Sequence, residues 1–431
     1  MGKNPGKVSV PEGGCLQKFY SKITPQFLFG ALLLLIGSLN ICYLWQTQGE
    51  CIDLVLTDKD FYFMDFFNHI FYVREPKNVY DVDYNACFPP LAYMMYWALG
   101  KCLALDAVAM NDAPSLSSYA LLLYVLYNVA MGILFYNSIE RLIRQKGFGT
   151  GHIRGIALAI FSSGVYILSI LWIGNAALTA CILLMRAMEL RQRPDRRSQE
   201  MALVFIAMAA GFKIYPAIFG ILYIKEKRYR EAGRLVLYGV LMFFVPFVFF
   251  GGSHGLVRML KNQAQLHAGI SYYSWKSIRS TWNQIDFKFL HFHMPVIGTI
   301  LTICYAAVAF TVAWLTKVEW KRLYLLCSLM VIVPAWSGSY TPIYFSIPLI
   351  LFLCGERKEK NDYMYALLFA GMFCFFVWNT PAITNITGDI SYVVRYLSIY
   401  GMCFLLVVEG MLQTGKELAG RRYESKSSLQ K

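Results

Sequence analysis

The chain reads as an all-helical protein that crosses a membrane many times, and three observations predict this. Of its 431 residues 57% are hydrophobic and only 15% charged, whereas ordinary soluble domains run about 45–50% apolar and about 25% charged. Apolar runs at 26–45, 296–316 and 392–413 approach or exceed the roughly 20 residues that span a bilayer as a helix. The basic residues, finally, fall in short clusters between such runs. Of 40 Lys and Arg, 29 lie in seven clusters at 1–22, 141–154, 186–197, 225–234, 317–322, 355–361 and 415–431.

A net charge of +14 would suggest nucleic acid in a soluble protein. In a membrane protein it is explained by the positive-inside rule, under which cytoplasmic loops collect Lys and Arg. No nucleic-acid partner is expected. If every cluster is cytoplasmic, the chain must cross and return between each pair. Helices near 118–140, 155–173 and 175–190 allow this, with Gly174-Asn175 at an outer turn. The run 201–224 lies between two basic clusters, so it must return to the side it entered. Lys213 and Pro216 interrupt it, which predicts two short helices meeting at a broken, re-entrant point. Segments near 235–251, 296–316, 323–336, 342–354, 363–379 and 392–413 complete about twelve transmembrane helices, with both termini inside. The first run is expected to stay in the protein, since it is long and no small-residue cleavage motif follows it.

One segment resists this count. Residues 89–105 look like a crossing, but counting them as one would put the 141–154 cluster outside. They are therefore expected to form an amphipathic or partly inserted helix within a large outer loop, 46–117. The divisions are then a cytoplasmic N-terminus 1–25, a membrane module 26–251, a second outer loop 252–294, a C-terminal membrane module 295–413 and a cytoplasmic tail 414–431. The first loop holds ten acidic residues against four basic. The second holds five Lys and Arg, one Asp and four of the six His residues.

Only Lys213 and Arg395 remain outside clusters and outer loops. Charges at membrane depth are costly and read as functional, although snorkelling to the interface is the alternative. The eleven cysteines fall mostly in apolar runs and behave there as small hydrophobes. Cys51 and Cys87 could pair if their loop meets an oxidising compartment. No CxxC or Cys/His spacing suggests a metal, and neither metal nor cofactor is expected. Asn385-Ile386-Thr387 forms a glycosylation sequon.

One face thus carries an acidic, aromatic loop and a basic, His-rich one. Carboxylates can act as bases on hydroxyl groups, aromatic faces suit sugar rings, and basic residues at a membrane surface suit a lipid-linked phosphate. The residues that carry a family resemblance come in order. Asp65-Phe66-Phe67 and Tyr72 follow the first helix, then Val79-Tyr80-Asp81 and Phe88-Pro89-Pro90-Leu91. Gly174-Asn175 and Lys213, Tyr215 and Pro216 come later, ahead of a basic loop. The order and spacing over about residues 25–235 resemble glycosyltransferase family 87 of the GT-C superfamily. Its best-known members are mannosyltransferases that use polyprenol-phosphate mannose. Two positions depart from that pattern: the usual Tyr-Pro-Pro is Phe-Pro-Pro here, and the usual Gly-Gln-x-Asn is reduced to Gly-Asn.

The resemblance implies a GT-C-like fold whose first extracytoplasmic loop contains membrane-parallel helices, one following the Pro-Pro. It also implies transfer of a sugar, mannose first, from a polyprenyl-phosphate donor to a glycan or glycolipid acceptor of the cell envelope, at the plasma membrane. Asp65 would be the general base, with Asp58 and Asp60 as alternates. A phosphate clamp would draw on Lys213, Lys276, Arg279, Arg395 and His267, with His254 as a further donor. Tyr72, Phe88, Asn175, Tyr215, Tyr272, Tyr273, Trp275 and Trp282 would line the substrate, unless the aromatics form an interfacial belt. Asp81 and Asp83 would position the turn before Phe88. A lipid-linked oligosaccharide flippase, a polymerase or ligase, and an envelope scaffold are the competing classes.

Overall fold

The computed structural model of the chain describes residues 24–50, 63–103, 118–171, 173–269, 276–335, 338–355, 361–378 and 390–428. Among these residues there is no strand. Fifteen described helices have eight or more residues. In order they are α1 Pro25–Gln46, α2 Met64–Tyr72, α3 Pro90–Leu103, α4 Ser118–Gln145, α5 Thr150–Phe161 and α6 Ala177–Arg191. Then come α7 Arg196–Phe212, α8 Tyr229–Phe244, α9 Gly252–Gly269, α10 Ile278–Ile285 and α11 Pro295–Leu315. The last four are α12 Glu319–Val331, α13 Ser346–Leu353, α14 Asp362–Phe373 and α15 Ile390–Ser428.

Among the described residues five stretches are single helical segments long and apolar enough to cross a membrane: α1, α4, Tyr229–Val248, α11 and Ile390–Gly415. This is a multi-pass membrane protein. The other expected crossings are shorter or broken. The run 155–173 is not one helix: α5 stops at Phe161, and Ser163 caps a new turn by accepting from the Tyr166 amide at 3.2 Å. Paired serines compete with the helix for backbone hydrogen bonds, a signal that averaged hydropathy does not register. The stretch 252–294, expected as a second outer loop, carries the helices α9 and α10. Residues 414–428 continue α15.

Local chemistry sets the ends. Thr24 caps α1, its hydroxyl accepting from the Phe27 amide at 3.1 Å, with Pro25 in the first turn. Asp195 caps α7 through the Ser198 amide at 2.7 Å. At Lys213 the backbone turns extended (φ −146°, ψ 129°), and the chain resumes as a tight turn over Tyr215–Gly220 that carries Pro216. The break in 201–224 thus falls at Lys213 and Pro216. The described part of α3 is 14 residues long, about 21 Å at 1.5 Å per residue. It packs against α2, α7 and α8.

The charges sort to one end of the bundle. Lys146 pairs with Glu319 at 3.0 Å, and Arg191 pairs with Glu226 and reaches Glu319 at 3.7 Å. Arg228 donates to Gln199 at 3.1 Å, and Lys225 donates to the carbonyl of Thr316 at 2.9 Å. Four basic clusters, 141–154, 186–197, 225–234 and 317–322, therefore meet at one pole. Lys321 pairs with Glu409 of α15 at 2.5 Å. The start of α1 joins the same end, where Gln26 donates to the Leu353 carbonyl at 3.2 Å. The start of α2, the break at Lys213 and the start of α10 lie at the other end.

Candidate active site

Asp65 sits in the first turn of α2, where the helix dipole favours an anion. The Gly174-Asn175 turn holds it. The Asp65 amide donates to the Ile173 carbonyl at 3.1 Å, and the Asn175 side-chain amide donates to the Asp65 carboxylate. The Asn175 side-chain carbonyl accepts from the Ala177 amide at 2.9 Å, which fixes the direction of its NH2 group. Gly174 has φ +74°, and a Cβ there would come within 2.8 Å of the Phe66 Cβ. Only glycine lets this turn close onto α2. Burial raises the Asp65 carboxyl above its ordinary value, opposed by the Asn175 amide and then by the charges of Lys213 and Lys276. Two of the expected clamp residues therefore lie within electrostatic reach of the expected base.

Lys213 is buried, 6% exposed. Its ammonium stands 3.3 Å from the centre of the Phe88 ring and 5.0 Å from that of Tyr340. The Phe88 ring packs at 3.9 Å between centroids against His69, whose Nδ1 is 3.3 Å from the Tyr93 hydroxyl. Burial pushes His69 well below its ordinary value, and the Lys213 charge adds to the effect. His69 is thus a neutral ring inside an aromatic wall that also contains Tyr72, Tyr93 and Tyr96.

Phe88 itself is held from outside. Its carbonyl accepts from the Tyr80 hydroxyl at 3.0 Å. Asn262 of α9 donates to the carbonyls of Tyr80, Asp83 and Ala86 at 2.8, 3.3 and 2.9 Å, and Gln263 donates to that of Cys87 at 3.1 Å. The Asp83 carboxylate accepts from the Asn85 amide at 2.7 Å within this turn. Asp81 instead pairs with Arg258 at 2.6 Å, with His254 3.7 Å away. The second loop therefore braces the first.

The remaining expected residues disperse. Lys276 lies 5.7 Å from the Tyr392 ring centre, and the fully buried Arg395 faces the same ring at 5.4 Å. Arg279 lies three residues on from Lys276, in the first turn of α10, half-buried. Trp282 donates to the Met294 carbonyl at 3.0 Å, tying α10 to the start of α11. Tyr72 is buried, and Tyr215 packs beside the core after the Lys213 break. Asp58, Asp60, Cys51, Tyr272, Tyr273, Trp275 and Asn385 lie outside the described residues, and of His267 only its backbone on α9 is described.

Two neighbours of Lys213 escaped the sequence reading, His69 and Tyr340. A single His among aromatics carries no pattern, and Tyr340 is far from Lys213 in sequence. On the other side of α3 a cavity of about 700 Å³ is lined by Arg74, Lys77, Met94, Trp97, Val248 and Phe249 among others. Among the described residues no cluster of His, Cys, Asp and Glu could hold a metal.

Fold and site define a multi-pass helical membrane protein with a carboxylate, and two lysines whose charges reach it, at the pole opposite its basic clusters. A sequence profile of glycosyltransferase family 87 matches residues 87–336, more than half of the chain. The chain belongs to glycosyltransferase family 87 and is a membrane glycosyltransferase. No curated protein and no solved structure matches it. The matched range takes in Phe88, Asn175, Lys213, Lys276 and Arg279, while Asp65 and Arg395 fall outside it.

Proposed function

We propose that the enzyme moves a sugar, mannose first, from a polyprenyl-phosphate donor to a lipid-linked or envelope glycan acceptor, with inversion, outside the plasma membrane. The observation that carries this reading is that the charges of Lys213 and Lys276 act on the Asp65 carboxyl at the pole away from the basic clusters. A phosphate leaving group needs no general acid, only stabilisation of its charge. A hydroxyl nucleophile is weak and needs a base on the face opposite the leaving group. One carboxylate and a pair of cations meet both needs, and a single displacement inverts the anomeric carbon, as in enzymes where one carboxylate activates the nucleophile.

In this reading Asp65 takes the proton from the acceptor hydroxyl. Lys213 and Lys276 receive the donor phosphate, with Arg279, Arg395 and the His267 position as further members of the clamp. Lysine meets phosphate as a point charge and arginine as a planar fork. The positive-inside rule puts the pole where the basic clusters meet in the cytoplasm, together with both termini. Asp65 then faces outward, where polyprenyl-linked donors are used. The cavity behind α3 lies at the end of the Tyr229–Val248 segment and offers an apolar wall with a polar rim of Arg74, Glu75, Lys77 and Asn78, which suits a lipid tail and its headgroup.

The test is transfer by the purified chain in proteoliposomes, with labelled polyprenyl-phosphate mannose or a nucleotide sugar as donor. Transfer from the polyprenyl phosphate alone, giving a product of inverted anomeric configuration, is the expected result. Transfer from the nucleotide sugar alone, or no transfer from either, would overturn the donor assignment.

A further inference from the structure

The Lys213 ammonium is buried and, among the described residues, pairs with no carboxylate at ion-pair distance. A buried charge without such a pair is costly. What touches it instead is aromatic: Phe88 at 3.3 Å from the ring centre and Tyr340 at 5.0 Å. Two groups as close to the Phe88 centroid as Lys213 and His69 cannot share a face, so the ring is sandwiched between cation and imidazole. The ring cannot drift, because the Tyr80 hydroxyl holds the Phe88 carbonyl and Pro89-Pro90 sets the chain into α3.

We infer that Phe88 is a positioning residue, the seat that holds the Lys213 ammonium beside Asp65 by a cation–π contact, with Tyr340 as the outer wall and His69 as the backing. The inference rests on the reading of Lys213 as a donor-phosphate ligand and adds how that cation is kept in place while the site is empty. Lysine has a flexible four-carbon stem, and an ammonium free to wander would have to be ordered each time donor binds. A ring face fixes it in advance and leaves its outward side for phosphate oxygens. This use needs only a ring.

The contact is read by replacing Phe88 with mono-, di- and trifluorinated phenylalanines in the full chain and measuring binding of polyprenyl monophosphate in nanodiscs. Fluorine drains the ring face while nearly preserving its shape, so packing alone would leave the series flat. A desolvated cation–π contact is worth up to about 2 kcal/mol, and each 1.4 kcal/mol is tenfold. Affinity should fall stepwise, by about tenfold at the trifluoro ring. Phe88→Leu should bind no better than the trifluoro form. In a Lys213→Met background the fluorine series should lose its effect. Loss of binding in Lys213→Met with a flat fluorine series would refute the seat while leaving the phosphate clamp standing. Wild-type binding by Lys213→Met, or no binding by the wild type, would remove the clamp itself and the inference with it.

Discussion

The state of one proton decides whether Asp65 can serve as a base, and Asn175 is placed to influence it. The amide of Asn175 donates to the carboxylate, so it favours the ionised form, against burial, which favours the neutral one. Asp65 should therefore titrate above the ordinary aspartate range of about 3.9, and transfer should be lost on acidification earlier than for an exposed carboxylate. In Asn175→Ala the donor is gone, the neutral form gains further, and the acid limb of the kcat/KM profile should move to higher pH. The profile between pH 4 and 9 checks this, and an acid limb that stays in place would separate Asn175 from the base. At this scale the sequence was partly legible. Asp65, Asn175, Lys213 and Phe88 were singled out by motif order, but the contacts among them were not. His69 and Tyr340 left no local trace.

Two elements carry the site, the break after α7 and the short helix α3. The break was visible in the sequence because Pro216 cannot sit inside a helix without loss of a hydrogen bond, and Lys213 beside it marked a polar depth. For α3, charge counting and the family resemblance both predict a helix within an outer loop, although its composition looks like a crossing. The account places α3 on the outer side, and impermeant thiol labelling of intact cells tests it. With native cysteines removed, Lys101→Cys should label from outside and Arg230→Cys should not. Labelling of neither or of both from outside would contradict the placement of α3 relative to the basic pole. The splitting of 155–173 was not foreseen, because its break rests on Ser163 capping a single turn within an apolar run.

Across the whole molecule, the segregation of charge is what the sequence conveyed best. Each basic cluster is local, so it can be counted without knowing the fold, and four clusters then meet through pairs such as Lys146–Glu319 and Arg191–Glu226. The number of crossings was less legible. Among the described residues only five segments are single long apolar helices, and the other described helices of the bundle are shorter pieces that bury against one another. Family membership joins these observations to sugar transfer, and in the proposed mechanism the chemistry turns on one carboxylate. Asp65→Asn keeps the shape of the side chain but cannot take a proton. General-base catalysis is worth about 10²–10⁴-fold. With polyprenyl-phosphate mannose in proteoliposomes, Asp65→Asn should transfer at least about a hundredfold more slowly while donor binding stays near that of the wild type. Asp58→Asn and Asp60→Asn serve as controls. Wild-type transfer by a folded Asp65→Asn protein would contradict the assignment of the base.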